Sequence, residues 1–435
     1  MGLSAAISAS LAREFLAVSP EGGAELDPRM AVVTGLGTTS PLGGDVASTW
    51  SALRRSRCAV RRLDGSWTQG FELPVMIAAP LAADPAQQLS PKELRRLDRA
   101  SQCALLAARE AWAQAGSPRV GGERLAVSIS PGMGPVLSVM KAWDDLRERG
   151  PRRVAPTAVP ALMPNAPAAS VGIELGARAG IHSPAAACAS GAEAIAHGAD
   201  LIALGRADVV VAGGTDAALH PMTVAAFAAM RALSTRNDEP EAASRPFAAD
   251  RDGFVLGEGA GVLVLESVAH ATARGARILA VLAGAAVTAD AFDTARPEPS
   301  GIQQERALRL ALERAGTRAD QIGLVNAHAT STPVGDRVEA EVLARTLPGV
   351  PVCATKSASG HLLGGAGALE AVLTVMALRD GWMPPTLQPG GIDPAIAGLG
   401  LDVVEPQGRP APGLETAVST SFGFGGHNVA LVFAR

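Results

Sequence analysis

Continuously apolar segments alternate with helical segments along most of this chain, and this alternation constrains the fold more than any other feature. The segments ADVVVAGG, AGVLVLE and IGLVNAHA are almost entirely apolar, which is typical of strands buried on both faces. The segments SQCALLAAREAWAQAG and GIQQERALRLALERAG carry helical patterns, and each ends at a glycine that can cap a helix. The alternation predicts an α/β protein whose sheet is covered by helices.

The alternation begins at Met30, where MAVVTGLG forms the first convincing strand, and it continues to Arg435 without a low-complexity linker. We therefore expect residues 1–29 to form an N-terminal extension. No apolar run approaches the roughly 20 residues that a membrane-spanning helix needs. The N-terminus also lacks the basic region of a signal peptide, so we expect neither a membrane span nor a secretory leader.

Composition argues against several classes of protein. Charged residues make up 18% of the chain, aromatic residues 3%, and the net charge is −4, which does not indicate a nucleic-acid partner. The four cysteines are far apart and form no C-x-x-C pair, which argues against a structural zinc site and against a disulfide framework. We expect no bound metal and a reducing, cytoplasmic compartment.

The stretch SPAAACASGAEAIAHGADLI places Cys188 among small residues ahead of an apolar helix. A free cysteine is often a small core residue. Ser190 and Glu193 have the S-x-x-E spacing of a capping box, and the positive end of a helix dipole would lower the pKa of a nearby thiol. Both interpretations, an inert core residue and a nucleophile, stay open at this point.

Three further loops place chemically active residues at the ends of predicted strands. His328 follows IGLVNA, and Phe424 lies in the glycine-rich GFGG. Lys356 and His361 lie in TKSASGH, and Glu370 on the following helix is a candidate partner for the lysine. Ligands of open α/β sheets bind outside the carboxyl ends of the strands. We therefore expect a cysteine, two histidines and a lysine in one site, although each alone could be structural.

These residue types narrow the chemistry. A Cys–His pair fits acyl transfer or proteolysis, but two neutral imidazoles can direct N–H donors at one oxygen, which suits the transition state for a thioester enolate. Such an enolate forms when a malonyl thioester loses CO₂, without a metal or an organic cofactor. It can then attack an acyl group held on the cysteine, and the product is a β-ketoacyl thioester.

Five stretches carry a family resemblance, namely ACASGAEAIAHGADLI, MRALSTRNDEPEAASRPFAADRDGFVLGEGAG, NAHATSTPVGD, TKSASGHLLGGAGALE and SFGFGGHN. Through them the chain, from about Met30 to Arg435, resembles the β-ketoacyl-[acyl-carrier-protein] synthases of the KAS I/II type in the thiolase-like superfamily. The resemblance implies an acyltransferase that condenses an acyl group with malonyl-acyl carrier protein. The products would be CO₂ and 3-oxoacyl-acyl carrier protein, in fatty-acid elongation.

The resemblance also implies the architecture and the partners. The family fold has two duplicated halves in a five-layered αβαβα arrangement, which here would be residues 30–276 and 277–435. Members are usually homodimers, and their partner is acyl carrier protein. The substrates travel on the phosphopantetheine arm of that carrier, and no other cofactor is expected.

The four strand-end residues would have distinct roles by resemblance. Cys188 would take the acyl chain from acyl carrier protein. His328 and His361 would bind the malonyl thioester carbonyl and promote decarboxylation. Lys356 would orient and polarise the His361 region, and Glu370 would hold the lysine in place.

Further residues are assigned by resemblance around the nucleophile. The backbone N–H groups of Cys188 and Phe424 would form the oxyanion hole for acyl transfer, and Phe424 would act as a gate between the two half-reactions. Thr330 and Thr332 would hydrogen-bond the phosphopantetheine arm. The residues Asp336 and Glu339 that follow them are expected, from spacing, to cap the next helix.

The acyl pocket of this chain differs from that of many relatives. Small residues, among them Ala158, stand where relatives often carry bulky ones, and Met133 lies on the same predicted wall. We expect a pocket open to long or unusual acyl chains. Asp293 stands where many relatives have histidine, so we expect altered electrostatics near the site.

The family docks acyl carrier protein, which is acidic, on a basic surface. The matching positions in this chain are Lys92, Arg95, Arg96, Arg152, Arg153 and Arg231. A positive face of this kind is compatible with a negative net charge. The alternative is ordinary solvated surface charge.

Other members of the superfamily are less consistent with the sequence. A degradative thiolase would need a second cysteine in GFGGHN, and a chalcone-synthase-like or KAS III enzyme would use Cys, His and Asn. A non-catalytic chain-length partner of a polyketide synthase would lack the nucleophile. The ketosynthase subunit of a type II polyketide synthase, paired with a chain-length factor as a heterodimer, stays open as the alternative to fatty-acid elongation.

Overall fold

The structure is a computed structural model that describes residues 26–65, 67–387 and 391–435. Residues 1–25, and with them most of the expected N-terminal extension, lie outside the described residues. The strands are β1 (Ala31–Thr39), β2 (Arg61–Arg62), β3 (Ile77–Ala78), β4 (Leu125–Ser130), β5 (Gly180–His182), β6 (Val209–Asp216), β7 (Gly259–Ser267), β8 (Ala280–Ala289), β9 (Leu324–Asn326), β10 (Pro351–Cys353), β11 (Trp382–Met383), β12 (Asp402–Val403), β13 (Arg409–Pro410), β14 (Thr416–Gly423) and β15 (His427–Ala434).

The helices are α1 (Val46–Arg54), α2 (Pro91–Arg96), α3 (Arg99–Gln114), α4 (Val136–Arg149), α5 (Ala158–Leu162), α6 (Ala166–Leu175), α7 (Ser190–Ala203), α8 (Pro221–Ala229), α9 (Val268–Ala273), α10 (Ile302–Arg314), α11 (Pro333–Thr346), α12 (Lys356–Ser359), α13 (Ala366–Asp380) and α14 (Pro394–Ala397). Within the described ranges, none of these helices has the length and apolar character needed to cross a membrane.

Eleven strands of the described chain join into one sheet in the order β12-β10-β9-β14-β15-β8-β1-β7-β6-β4-β5. The strands β1, β4, β5, β6 and β7 on one side correspond to β8, β9, β10, β14 and β15 on the other. In both sets the first strand is antiparallel to the last, the last is antiparallel to the fourth, and the fourth, second and third run parallel. The fold therefore contains two copies of one topology, which confirms the expected duplication.

The two halves are joined where β1 pairs with β8, with Val32 opposite Val281. The helices α7 and α13 form a central layer, because each packs against strands of both halves. The helices α3 and α6 pack on the first half, and α10 packs on the second. This is the five-layered αβαβα arrangement that the family resemblance implied. The domain boundary between residues 276 and 277 stays a prediction.

The burial of β6 and α13 explains their sequences. In β6, Val211 packs in the cluster that contains α3, and the next residue, Ala212, packs in the cluster that contains the central helices. Such a strand has no face toward solvent, so its sequence is apolar without a break. The helix α13 is buried along its length from Ala366 to Leu378, and its apolar residues accordingly surround the helix on every side.

Candidate active site

The loops that follow β4, β5, β9, β10 and β14 line a cavity of about 610 Å³. Cys188, His328, His361 and Phe424 all contribute to its wall, so the loops selected from the sequence meet in one place. The wall also includes exposed residues such as Arg231, while both histidines are buried. The cavity therefore connects the protein surface with a buried reaction site.

The side chain of Ser190, the first residue of α7, holds the turn that carries Cys188. Cys188 lies in a 3₁₀ turn, Ala187–Ala189, directly before α7. The hydroxyl of Ser190 accepts from the amide of Ala186 at 2.9 Å and donates to the carbonyl of Ala187 at 2.7 Å. The predicted capping box is wrong, because the helix has no side-chain cap and Glu193 instead lies 3.8 Å from His427. The predicted helix start, two residues after Cys188, is confirmed.

The thiol of Cys188 is not activated by the helix terminus alone. Burial raises the pKa of Cys188 to about 11, against the opposing effects of the Lys356 charge and of a hydrogen bond from the Phe424 amide. The buried carboxyl of Asp216 raises it further. The expected lowering of the pKa is therefore wrong, since removal of the thiol from water outweighs the helix dipole. A pKa of about 11 favours the neutral thiol over the thiolate in this site.

The hairpin between β14 and β15 brings its backbone against the nucleophile. A Cβ atom on Gly423 would lie 2.4 Å from the carbonyl oxygen of Ala186 and 3.3 Å from the amide of Cys188, so only glycine allows this approach. Gly425 and Gly426 both have positive φ, +83° and +77°, and close the turn. Phe424 is thereby placed with its side chain on the cavity and its N–H toward the Cys188 sulfur. This geometry is compatible with its proposed roles in the oxyanion hole and as a gate.

Lys356 contacts His328. Its Nζ lies 3.3 Å from Nδ1 of His328 and forms an ion pair with Glu370. Both members of the ion pair are almost completely buried. An ammonium can only donate, so Nδ1 accepts and the ring proton of His328 is on Nε2. The expectation that Lys356 orients the His361 region needs correction: its direct partner is His328, and only its charge acts on His361.

Glu339 is a site residue that the sequence analysis misassigned. Its carboxylate accepts from the amides of His328 at 2.9 Å and Ala329 at 2.6 Å, and from the Thr420 hydroxyl at 2.7 Å. It therefore fixes the backbone of the catalytic loop and does not cap α11. Asp336 accepts from the amide of Thr332, the residue before α11, and from the amide of Phe247. The helix α11 has no side-chain cap, so the expectation that Asp336 caps it is also wrong. Both carboxylates are buried, and spacing alone reveals neither their burial nor their partners.

The two histidines form a pair of neutral donors. Their ring centroids are 5.5 Å apart with an interplanar angle of 85°, and the ring of Phe254 packs edge-on against His361. Burial lowers the pKa of both histidines well below 6.5, and the charge of Lys356 lowers both further. Neither ring nitrogen of His361 has a hydrogen-bond partner within the described ranges. Each neutral ring carries one N–H group, and the His361 N–H is free for a ligand.

Two hydroxyl groups lie on the wall of the cavity. Thr330 and Thr332 both line it, and their hydroxyls are 3.1 Å apart. Met133 also lines the wall, as predicted from the sequence. Ala158 begins α5 and is not among the residues that line the cavity of the single chain. Its place in the acyl pocket stays a prediction.

Asp293 acts on the site through a neighbour. Its carboxylate pairs with Arg296 at 3.0 Å and accepts from the amides of Ala295 and Arg296. Arg296 lines the cavity, whereas Asp293 does not. The expected change in local electrostatics thus consists of an ion pair at the exposed part of the wall.

The six basic residues assigned to carrier docking are all exposed. Lys92, Arg95 and Arg96 lie on α2, and Arg152 and Arg153 lie in the turn that follows α4. Arg231 lines the cavity and has a positive φ of +55°. None of the six forms an ion pair with another residue of the described structure. Their charges are therefore available to a partner.

The described part of the chain holds no group of three or more His, Cys, Asp and Glu side chains arranged to bind a metal ion. The groups that can polarise a bound carbonyl in this site are the histidine and backbone N–H donors. Donors fixed in a buried site act without reorganising during the reaction.

Comparison with known proteins gives a consistent picture. The family model described as "Beta-ketoacyl synthase, N-terminal domain" matches residues 29–271, and "Beta-ketoacyl synthase, C-terminal domain" matches residues 279–389. The chain is 45% identical over 408 residues to 3-oxoacyl-[acyl-carrier-protein] synthase 2 of Mycobacterium tuberculosis, which covers 93% of this chain and 97% of that protein.

Solved structures with the same fold include two with high coverage. A β-ketoacyl synthase from Burkholderia phymatum STM815 is 37% identical with a TM-score of 0.86, over 93% of this chain and 99% of the other. A chain in the structure of a type II PKS acyl-carrier protein in complex with its ketosynthase bound to the hexaketide is 28% identical with a TM-score of 0.85, over 94% and 100%.

Proposed function

The chain belongs to the β-ketoacyl synthase family, and from this premise we propose that it elongates fatty acids by decarboxylative Claisen condensation. An acyl group held as a thioester on Cys188 reacts with malonyl-acyl carrier protein and gives 3-oxoacyl-acyl carrier protein and CO₂. The observation that carries the proposal is the position of two neutral, buried histidines on the same cavity wall as Cys188. One N–H donor from each suits a single developing oxyanion.

The first half-reaction loads the acyl chain. The sulfur of Cys188 attacks the thioester carbonyl of the acyl carrier, and the backbone N–H groups of Cys188 and Phe424 stabilise the oxyanion. The carrier thiol leaves with the electron pair of the broken C–S bond, and it takes up the proton that the Cys188 thiol loses. The ammonium of Lys356 favours the transient thiolate, because its charge lowers the pKa of Cys188.

The second half-reaction makes the carbon nucleophile. The malonyl thioester carbonyl accepts from Nε2–H of His328 and from an N–H of His361. The carboxylate leaves as CO₂, and its bonding electrons pass into the thioester enolate. The enolate carbon then attacks the acyl carbonyl on Cys188 and forms the new carbon–carbon bond. The sulfur of Cys188 leaves with the electron pair of the broken C–S bond and takes up a proton from solvent, which restores the thiol. The histidine N–H groups stabilise the enolate charge, so the step needs neither a metal nor an organic cofactor.

Two pathways, fatty-acid elongation and polyketide assembly, each have support from the comparisons. The likeness to 3-oxoacyl-[acyl-carrier-protein] synthase 2 favours fatty-acid elongation. The likeness to a type II PKS ketosynthase supports the second candidate, a polyketide ketosynthase paired with a chain-length factor. The higher identity of the first relative favours fatty-acid elongation.

The test of the function uses the purified chain with acyl- and malonyl-carrier proteins. We expect release of CO₂ and formation of a 3-oxoacyl-carrier product that is two carbons longer than the donor. No chain-length factor should be needed. The variant Cys188→Ala should form no condensation product but retain some malonyl decarboxylation. Absence of product from the wild type would contradict the function, and product formation only after addition of a chain-length factor would favour the alternative.

The partner is acyl carrier protein, and the exposed basic residues support this proposal. Replacing Arg95, Arg96, Arg152 and Arg153 by glutamate should raise KM for carrier-bound substrates, because an acidic partner would then be repelled. Small thioester mimics need no carrier surface and should react normally. An equal loss on both kinds of substrate would rule out this docking face.

We propose a cytoplasmic homodimer. The strand β5 is at the edge of the large sheet, its Ile181 is 40% exposed, and no described strand pairs with its outer side. An uncovered edge of this kind is a template for pairing with another chain. The four unpaired cysteines support a reducing compartment. Sedimentation at twice the chain mass of 44.0 kDa would support the dimer, and a monomer would contradict it.

A further inference from the structure

Asp216, the last residue of β6, has a fully buried carboxylate that no step of the reaction uses. It accepts from the backbone amides of Gly132 at 2.8 Å, Met133 at 3.2 Å and Gly364 at 2.7 Å. Burial raises the pKa of Asp216 to about 7, and the amide donors oppose this shift. The donors therefore favour the ionised carboxylate, which is where their hydrogen bonds are strongest.

The three amides belong to two separate parts of the active site. Gly132 and Met133 lie in the loop after β4, and Met133 forms part of the cavity wall. Gly364 lies in the turn Leu363–Gly365, three residues after His361. These segments are 84 and 148 residues away from Asp216 in sequence. One side chain thus joins the acyl-pocket loop to the turn that follows the second histidine.

The Cys188 turn belongs to the same assembly. A Cβ atom on Gly132 would lie 2.7 Å from the carbonyl oxygen of Ala187 and 3.0 Å from Oδ2 of Asp216. A Cβ atom on Gly364 would lie 2.0 Å from the amide of Gly132 and 2.9 Å from the same Oδ2. The backbones of all three segments therefore meet around the carboxylate, and side chains at the two glycines would separate them.

Two residues of this assembly have unfavourable backbone conformations. Ala187, next to Cys188, has φ +47°, and Leu363, two residues after His361, has φ +49°. Non-glycine residues adopt positive φ rarely, and such strain persists only where the surroundings enforce it. Leu363 precedes Gly364, whose amide donates to Asp216, and the carbonyl of Ala187 lies against Gly132, whose amide also donates to Asp216. The hydrogen bonds to the carboxylate therefore lie next to both strained residues.

We propose that Asp216 is a positioning residue that holds the Cys188 turn, the Met133 loop and the His361 turn as one rigid unit. The inference rests on the proposed function, because the proposed function assigns the two half-reactions to residues on these segments. Asp216 touches no substrate. It acts through backbone amides, and both half-reactions depend on it because it positions elements of both.

The experiment is Asp216→Asn in the full chain, with each half-reaction measured separately. Acyl transfer to Cys188 is followed by intact mass, and malonyl-carrier decarboxylation is followed without an acyl donor. The asparagine places an amide N–H among three N–H donors, so we expect kcat of both half-reactions to fall about tenfold to a hundredfold. KM for the carrier proteins should stay within twofold, because the docking surface is unchanged.

The matched control is Asp98→Asn. Asp98 is also buried and also accepts from backbone amides, those of Ala100 and Ser138. Unlike Gly132 and Met133, these two donors do not line the cavity. We expect this variant to lose stability while both half-reactions stay within twofold of wild type. If Asp216→Asn does not fold, Gly132→Ala provides the test, since its Cβ enters the same junction and should slow both half-reactions.

The outcomes separate the inference from the function. A wild-type chain that performs neither half-reaction overturns the proposed function. A wild-type chain that performs both, with Asp216→Asn or Gly132→Ala slowing neither, overturns only the role of Asp216. A variant that slows one half-reaction alone also contradicts it, because the carboxylate would then hold one loop and not the unit.

Discussion

Nζ of Lys356 lies 3.3 Å from Nδ1 of His328, in a region that solvent does not reach. Because the ammonium donates to Nδ1, the proton of the imidazole is on Nε2. A lysine that never meets the substrate thus determines which nitrogen of His328 can donate to it. Glu370 holds the ammonium from the other side, so the second half-reaction depends on a chain of three buried groups.

Lys356→Met tests this chain. Without the ammonium, His328 can adopt either tautomer, and we expect malonyl decarboxylation to fall about 100-fold, as when one oxyanion donor is lost. The measurement is CO₂ release from malonyl-carrier protein. Lys141→Met is the matched control, because Lys141 is exposed and pairs with Asp145 on the surface of α4, and it should not change the rate. A Lys356→Met enzyme with the wild-type rate would exclude a role in tautomer selection.

Glu370→Gln tests the stability of the buried pair. The substitution leaves the Lys356 ammonium buried without its carboxylate, and we expect the free energy of unfolding to fall by about 3–5 kcal/mol. Urea unfolding followed by circular dichroism measures this change. Glu341→Gln, which removes a surface ion pair with Arg337 on α11, should change stability by less than about 1 kcal/mol. Similar values for both variants would show that burial does not determine the effect.

Gly423→Ala tests the approach of the hairpin to the nucleophile. Its Cβ would lie 2.4 Å from the carbonyl oxygen of Ala186, so the Cys188 turn or the Phe424 amide must move. We expect acyl loading to slow about 100-fold, since misplacement of a reacting group by 1 Å has an effect of this size. Gly413→Ala is the control, because no atom lies within 4 Å of its added Cβ. Normal loading by Gly423→Ala would disprove the close approach.

The ionisation of Cys188 gives a prediction of pH dependence. Its pKa is raised to about 11, so below that pH the thiol form dominates, and the thiolate fraction grows as the pH rises. We expect the rate of alkylation by iodoacetamide to increase about tenfold per pH unit between pH 7 and pH 10. The rate is measured by intact mass in the absence of substrate. A plateau between pH 7 and pH 8 would show instead that the helix terminus lowers the pKa, as the sequence analysis expected.

Much of the site could be predicted from the sequence, because its residues are unusual in their context. A lysine, two histidines and a cysteine stand in apolar segments at the ends of strands, and polar groups in such places are rare without a function. The burial of β6 on both faces could also be predicted, because a strand whose residues are all apolar has no face that suits solvent. Local patterns therefore identified both the fold class and the cavity.

The remainder depends on contacts that sequence spacing does not encode. Glu339 and Asp216 bind backbone amides, and every residue except proline carries such a group, so their partners leave no trace in the sequence. The capping box failed because Ser190 bonds to the turn before it and not to the helix after it. The thiol pKa was misjudged because the depth of burial, which outweighs the dipole, is a property of the assembled fold.

The central claim is that Cys188 carries the acyl group. The most direct measurement is incubation of the wild-type chain with an acyl-carrier protein, followed by proteolysis and mass mapping of all four cysteines. The account predicts one acyl adduct, on Cys188, which is lost in Cys188→Ala and retained in Cys58→Ala. No adduct, or an adduct on Cys58, Cys103 or Cys353 in place of Cys188, would contradict it.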